Sequence, residues 1–221
     1  MKLFYEWDWA GAEKEFRRAI ELEPNYPTAH HWYALYLAVV GRIDAALASA
    51  RRALELDPVS LIANAELGRL LYFARRYDES LQQCQKALEI DPNFGYAHSV
   101  MGSAYAGKGM YEAAAASIRK YSMPGAQSSL ARGLALSGNR GDARKILEAA
   151  KEERGRRYVS ALTIASIHVG LGEQDQAFQW LEQAYEERSL RPEWIVRDPA
   201  WDPLRSDPRW AALMRRVGLE P

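Results

Sequence analysis

A proline that recurs at a fixed interval limits the fold of this chain more than any other feature. Pro24, Pro58 and Pro92 stand 34 residues apart, and each closes a similar ending, AIELEP, ALELDP or ALEIDP. Proline cannot continue an α-helix, and it disfavours helical angles at the residue before it. A period of this length indicates repeated units, each of which ends at a proline.

Each unit is predicted to be a helical hairpin. In one unit, a first helix from about Tyr26 to Val40 is followed by a turn at Gly41 and a second helix from about Ile43 to Leu56. Small residues such as Gly68 recur where helices must approach closely. A single hairpin cannot bury its own apolar face, so neighbouring hairpins must stack.

The register continues, less strictly, to about residue 189, as one half repeat followed by five whole ones. The repeat length, the recurring small and large residues and the closing proline resemble the tetratricopeptide repeat (TPR) family. This resemblance implies an all-α fold, a right-handed superhelical solenoid of antiparallel helix hairpins. It also implies a concave groove, lined by the first helices, in which a segment of a partner protein binds.

The chain is predicted to divide near residue 190. Residues 1–190 would form the repeat array, with an incomplete first repeat and a break at SMPG, residues 122–125, where proline interrupts a second helix. Residues 191–221 would form an Asp-Pro-rich capping segment, whose last helix, from Pro208 to Val217, covers the final hairpin. The tail also resembles those of repeat arrays in bacterial multidomain regulators, which favours a module of a signalling or transcription regulator.

The composition disfavours several classes of function. Lys plus Arg equals Asp plus Glu, at 29 each, so no basic excess is available for nucleic acid or an anionic membrane. Cys84 is the only cysteine, which excludes an internal disulfide and fits a reducing compartment. The opening MKLFYEWDW lacks the apolar core of a signal peptide, and no stretch reaches the length of a membrane span. A cytoplasmic location is therefore expected.

No motif gives credible support for catalysis. The stretch GSAYAGKG, residues 102–109, resembles a phosphate-binding loop, but Gly109 replaces the residue that would bind magnesium, and the stretch fits the repeat register. Cys84 is interpreted as an inert core thiol, and the histidines as packing residues. His31 is the exception, since its spacing suits contact with a ligand. We predict no enzyme activity, no cofactor and no metal site.

The spacing i, i+3, i+7 and i+10 on the first helices predicts which residues line the groove. With flanking residues, the candidates are Thr28, His31, Trp32, Leu35, Ile62, Glu66, Arg69, Tyr72, Phe73, Tyr96, Ser99, Ser103 and Arg132. The carboxylate clamp of some family members is not reproduced, although Arg69 could anchor one acidic group. The set favours an extended or helical protein segment with bulky apolar side chains. The alternative for several of the aromatics is packing between adjacent units.

A helical-repeat RNA-binding protein is the alternative function. Repeats of similar length can each read one base, but such a groove should be basic, and this one offers mainly Arg69 and Arg132. A protein or peptide partner is therefore the prediction, with no nucleic acid and no membrane.

The N-terminal edge is predicted to self-associate. Its apolar stripe, whose covering first helix is absent, consists of Leu3, Phe4, Tyr5, Trp7, Trp9, Phe16 and Ile20. Large exposed apolar patches are unusual on monomers. The chain is therefore expected to be either a piece of a longer protein or a homo-oligomer, most simply a two-fold dimer, through residues 3–20.

Overall fold

The computed structural model describes residues 7–120 and 126–219. Up to residue 186, these ranges contain eleven helices and no strand, as the sequence predicts. The helices are α1 (Trp9–Leu22), α2 (Pro27–Val39), α3 (Ile43–Leu56), α4 (Leu61–Phe73), α5 (Tyr77–Ile90), α6 (Gly95–Gly107), α7 (Tyr111–Arg119), α8 (Ala126–Leu136), α9 (Arg140–Arg154), α10 (Ala161–Gly170) and α11 (Gln174–Glu186).

The helices after α1 pack as successive hairpins. Each first helix, α2, α4, α6, α8 or α10, packs on the second helix that follows it. Each first helix also contacts the next first helix, so the five form one continuous layer. This arrangement confirms the predicted all-α solenoid, and the layer of first helices is its concave side.

Residues in the left-handed region make the turns inside the hairpins. Gly41, Gly109, Gly138 and Gly172 have φ between +71° and +91°. The hairpin of α4 and α5 has Arg75 at this place, with φ +60°, a conformation that is strained for a residue with a Cβ. Its guanidinium pairs with the Asp202 carboxylate at 2.6 Å, a contact that glycine could not make.

Gly68 allows α4 and α5 to approach closely. A Cβ at Gly68 would lie 2.5 Å from Cys84 Sγ and 3.3 Å from the Ser80 carbonyl oxygen. We expect Gly68→Ala to lower the free energy of unfolding by about 1–3 kcal/mol, because the core must shift to accept the methyl group.

Gly133, in α8, provides the matched control for Gly68. No neighbouring atom lies within 4 Å of a Cβ built there, so Gly133→Ala should raise the free energy of unfolding by about 0.5–1 kcal/mol through helix propensity alone. Urea denaturation followed by circular dichroism measures both changes. Equal shifts in the two variants would contradict the close approach at Gly68.

The second helix of the third hairpin is shortened, as the sequence predicts. α7 has 9 residues, whereas α3 and α5 have 14 each. It ends at Arg119, close to the predicted break at residues 122–125, and that break itself lies outside the described residues. Helix α8 then begins at Ala126 and restores the alternation of first and second helices.

The segment that follows the array returns across its concave side. It contains α12 (Pro192–Ile195), a 3₁₀ helix (Pro199–Trp201), α13 (Asp202–Arg205) and α14 (Pro208–Arg216). Helix α12 contacts α2, and the 3₁₀ helix contacts both α6 and α10. Residues 190–205, here called the return segment, therefore reach first helices near both ends of the layer.

The return segment belongs to the main hydrophobic core. Its large apolar side chains are buried, and they share one cluster with residues of α2, α4, α10 and α11. These side chains are Leu190, Ile195, Val196, Trp201 and Leu204. The sequence predicts a cap over the final hairpin, whereas part of the tail packs on the concave side instead, because its apolar side chains find a larger apolar surface there.

The last helix has nearly the predicted bounds. Helix α14 begins at Pro208, and Gly218 follows it with φ +74°. It packs near α11, where the Arg216 guanidinium pairs with Glu182 at 2.7 Å. It also reaches α1, because the Trp9 indole Nε1 donates a hydrogen bond to the Val217 carbonyl oxygen at 2.8 Å. The two ends of the array are therefore joined within one chain.

None of the helices within residues 7–120 and 126–219 combines the length and apolar character that a membrane span requires.

Candidate functional site

The predicted groove residues differ in how accessible they are. Thr28, Trp32 and Ile62 are exposed, and His31, Phe73, Tyr96, Ser99 and Ser103 are partly buried. The others, Leu35, Glu66, Arg69, Tyr72 and Arg132, are buried. The return segment contacts this buried group, so the part of the groove around Arg69 and Tyr72 is already occupied by the chain itself.

The buried Arg69 side chain binds groups of this chain itself. Its Nε and Nη2 atoms each lie 2.8 Å from Glu66 Oε2, and the Tyr96 hydroxyl donates to Glu66 Oε1 at 2.7 Å. Its Nη1 donates to the Glu193 carbonyl oxygen at 3.2 Å, and its guanidinium lies 5.6 Å from the Trp194 ring centre. Burial alone would lower the pKa of Arg69, but the Glu66 carboxylate raises it, so the side chain stays charged. In this arrangement Arg69 has no room to anchor a partner's acidic group.

Tyr72 fixes the return segment from a second position on α4. Its hydroxyl donates to Asp198 Oδ1 at 2.5 Å, and the same oxygen accepts from the backbone N–H of Ala200 at 2.7 Å. Burial and the Asp198 charge together raise the pKa of Tyr72 well above its ordinary value. Arg132 of α8 is buried beside this pair, where its charge balances that of Asp198.

A cleft of about 490 Å³ remains open on the concave side, and we call it the hydroxyl cleft. Its walls come from α6, α8 and the start of α10 on one side and from residues 188–201 on the other. The serine and threonine residues that line it are Ser99, Ser128, Ser129, Ser160, Thr163, Ser166 and Ser189. Tyr158 and Trp194, which are 75% and 50% exposed, stand among its aromatic residues. The volume lies in the range of ligand-binding pockets, about 300–1,000 Å³.

Only part of this cleft is made of residues that the spacing on the first helices predicts. Tyr96 and Ser99 are on the candidate list and line it, whereas Thr163 and Ser166 are not on the list. The same helical spacing on α10 selects hydroxyl residues on the same layer of first helices. No local sequence pattern predicts that the return segment forms a wall of the cleft, because it comes to lie opposite α6 and α8 only when the chain folds.

Cys84 and two of the histidines have packing roles. Cys84 is buried, and burial raises the pKa of its thiol to about 12. Nε2 of His30 lies 2.8 Å from the Pro24 carbonyl oxygen, and Nε2 of His98 makes the same contact with Pro92 at 3.0 Å. Two units therefore repeat one structural hydrogen bond.

The remaining candidates for chemistry give no site in the described residues. His31 packs edge-on against Trp32, with ring centres 5.2 Å apart, and burial lowers its pKa. Residues 102–107, from the stretch that resembles a phosphate-binding loop, form the end of α6 and are helical. Over the described ranges, no group of three or more His, Cys, Asp or Glu side chains is placed to hold a metal ion.

Comparisons with known proteins agree with this architecture. Sequence profiles of the tetratricopeptide repeat match residues 3–60, 34–94 and 124–149, more than half of the chain. A search of curated proteins gave no match.

Three solved structures are similar to this chain. The crystal structure of PilW, a type IV pilus biogenesis factor, has a TM-score of 0.63 and 25% identity, and the match covers 87% of this chain and 92% of PilW. A tetratricopeptide repeat protein from Parabacteroides merdae has a TM-score of 0.59 and 16% identity, with 98% and 88% covered. PilF of Pseudomonas aeruginosa has a TM-score of 0.58 and 18% identity, with 87% and 90% covered. With its stacked hairpins and its matching profiles, the chain belongs to the tetratricopeptide repeat family.

Proposed function

We propose that this protein is a non-catalytic scaffold that binds an extended segment of a partner protein in the hydroxyl cleft. The observation that carries the proposal is an open, hydroxyl-lined cleft on the concave layer of a repeat array. Ser160 and Ser189 already use their hydroxyls within the chain. Hydroxyl groups both donate and accept hydrogen bonds, so Ser99, Thr163 and Ser166 can pair with the N–H and C=O groups of an extended chain. The adjoining aromatic rings supply apolar area for its side chains.

The space that the return segment takes up in the groove favours an extended segment over a helical one. A helix with its side chains is about 10–12 Å across, and the return segment occupies the part of the groove that such a ligand would need. Thr28, Trp32 and Ile62 stay exposed outside the cleft, and they are available to a longer partner.

An RNA-binding role has weaker support. Arg69 and Arg132, the two groove arginines on which that alternative relied, are both buried, and Arg69 is paired with Glu66. An RNA groove needs accessible cations and aromatic faces along its length. We therefore expect no measurable affinity for single-stranded RNA even at low salt.

Self-association through residues 3–20 was expected because of an exposed apolar stripe, and the described part of this edge exposes little apolar surface. Between residues 7 and 20, no large apolar side chain is exposed, and Trp9 is buried against Val217 at the other end of the chain. Leu3, Phe4 and Tyr5 lie outside the described residues. A role as a module of a bacterial signalling or transcription regulator remains within the proposal, as the resemblance of the tail suggests.

A cleft-filling substitution tests the proposed binding site. Ser166 of α10 is partly buried on the cleft wall, so Ser166→Trp should fill the cleft and weaken binding about tenfold or more. The ligands would be peptides selected on the full chain from a random display library, with affinity measured by fluorescence anisotropy. Ser206→Trp, at an exposed position away from the cleft, is the matched control. Equal binding by both variants, with unchanged circular dichroism, would place the binding site elsewhere.

A further inference from the structure

We infer that the hydroxyl cleft selects an acidic segment, with a partner carboxylate placed against Arg188. The inference rests on the proposed function, since it specifies the chemistry of the segment that the cleft binds. It depends on three properties of Arg188: the lack of a carboxylate partner among the described residues, its backbone conformation and its position on the cleft wall.

Arg188 lines the cleft, is exposed, and forms no ion pair within the described parts of the chain. The neighbouring carboxylate of Glu187 is paired with Arg154 instead. The Arg188 guanidinium lies 5.0 Å from the Trp7 ring centre and 6.0 Å from that of Tyr185. Stacking on an aromatic face orients a guanidinium but leaves its N–H groups, which lie in its plane, able to donate to a carboxylate.

The backbone at Arg188 is the second observation. It has φ +55°, in the left-handed region where glycine would be relaxed. Arg75 stands in the same conformation at the end of another helix, and its guanidinium pairs with Asp202 across the groove. A strained arginine in this protein thus holds a carboxylate once already, and Arg188, which lines the cleft, pairs with none of the described carboxylates.

The other charged side chains that line the cleft already interact with groups of this chain, so they do not oppose a bound anion. Arg191 also lines it and is paired through Nε with the buried Glu193 carboxylate. Asp198 is the one carboxylate of the described residues that lines the cleft, and it accepts from the Tyr72 hydroxyl and the Ala200 N–H. A partner carboxylate would therefore meet Arg188 and hydroxyl donors, whereas a lysine would meet no unengaged carboxylate.

The test uses the full chain and short fluorescein-labelled Gly-Ser peptides that are amidated at the C-terminus. Three peptides carry Glu, Gln or Lys at the same positions, and a fourth is the Gln peptide with a free C-terminal carboxylate. We expect the Glu peptide to bind about tenfold tighter than the Gln peptide, and the Lys peptide to bind no better than the Gln peptide. The fourth peptide reports whether a terminal carboxylate can replace a side-chain one.

Variants at Arg188 complete the test. Arg188→Gly suits the backbone conformation and should remove the preference for Glu over Gln, while Arg188→Lys should retain part of it. Arg18→Gln, on the exposed face of α1, removes the same charge far along the chain and is the control. The inference is overturned if Glu and Gln peptides bind alike, or if Arg188→Gly and Arg18→Gln have equal effects. If Ser166→Trp still abolishes binding of library-selected peptides in that case, the proposed function stands and only the acidic preference is wrong.

Discussion

Replacing Ile195 by aspartate should lower the free energy of unfolding by more than about 4 kcal/mol. Ile195 is 0% exposed, inside the cluster that joins the return segment to the array. The substitution forfeits about 1.5–3 kcal/mol of apolar burial and adds the cost of an unpaired buried carboxylate, which is several kcal/mol more. Native proteins are stable by about 5–15 kcal/mol, so the variant should lose a large share of its stability.

Val59→Asp is the control for this prediction. Val59 is 70% exposed between α3 and α4, and a surface substitution of this kind should change stability by about 0.5 kcal/mol or less. Urea denaturation followed by circular dichroism gives the two values.

Hydrogen exchange measures which helices lose amide protection in Ile195→Asp. If the return segment is part of the core, amides in α2 and α4 should lose protection along with those of α10 and α11. Loss confined to α10 and α11 would mean that the tail covers only the final hairpin.

Replacing Arg69 by methionine should cost about 3–5 kcal/mol, because it leaves the buried Glu66 carboxylate without its counter-charge. Both side chains are nearly inaccessible, and the pair is fixed by two contacts of 2.8 Å. Adding Glu66→Gln should recover a large part of the loss, since a neutral amide can still accept from the Tyr96 hydroxyl. The recovery, measured by urea denaturation as a double-mutant cycle, gives the coupling between the two side chains.

Arg18→Met provides the comparison for the buried pair. Arg18 and Glu21 have the same i,i+3 spacing, but their side chains are 61% and 66% exposed. Exposed pairs contribute about 0–1 kcal/mol because water and salt screen them. A loss in Arg69→Met no larger than that in Arg18→Met would show that the Arg69 pair is solvated in solution.

Most of the array could be predicted from the sequence because its determinants are local. Helix α3 has the predicted bounds, Ile43–Leu56, and α2 differs from prediction by one residue at each end. Proline cannot continue the interior of a helix, and glycine can adopt a positive φ at little cost, and both properties belong to the residue itself. The alternation of small and large residues then sets which helix faces pack, as the close approach at Gly68 illustrates.

The candidate site was predicted only in part. Spacing on the first helices predicted Tyr96 and Ser99 as groove residues, and both line the cleft. The same spacing also selected Arg69 and Tyr72, which face that side but are covered by the return segment. Helical periodicity predicts the direction in which a side chain points from its helix. It does not predict which distant segment of the chain packs against that side chain.

The sequence by itself determined the helices, their pairing and the layer that becomes concave. Only the tertiary structure decided that the return segment covers part of this layer, that the two ends are joined, and that a hydroxyl-lined cleft remains. The contacts responsible are distant along the chain: Tyr72 and Asp198 are 126 residues apart, and Trp9 and Val217 are 208 apart. Such contacts form because an apolar segment gains free energy on any face it can cover, and the folded array determines which face is within its reach.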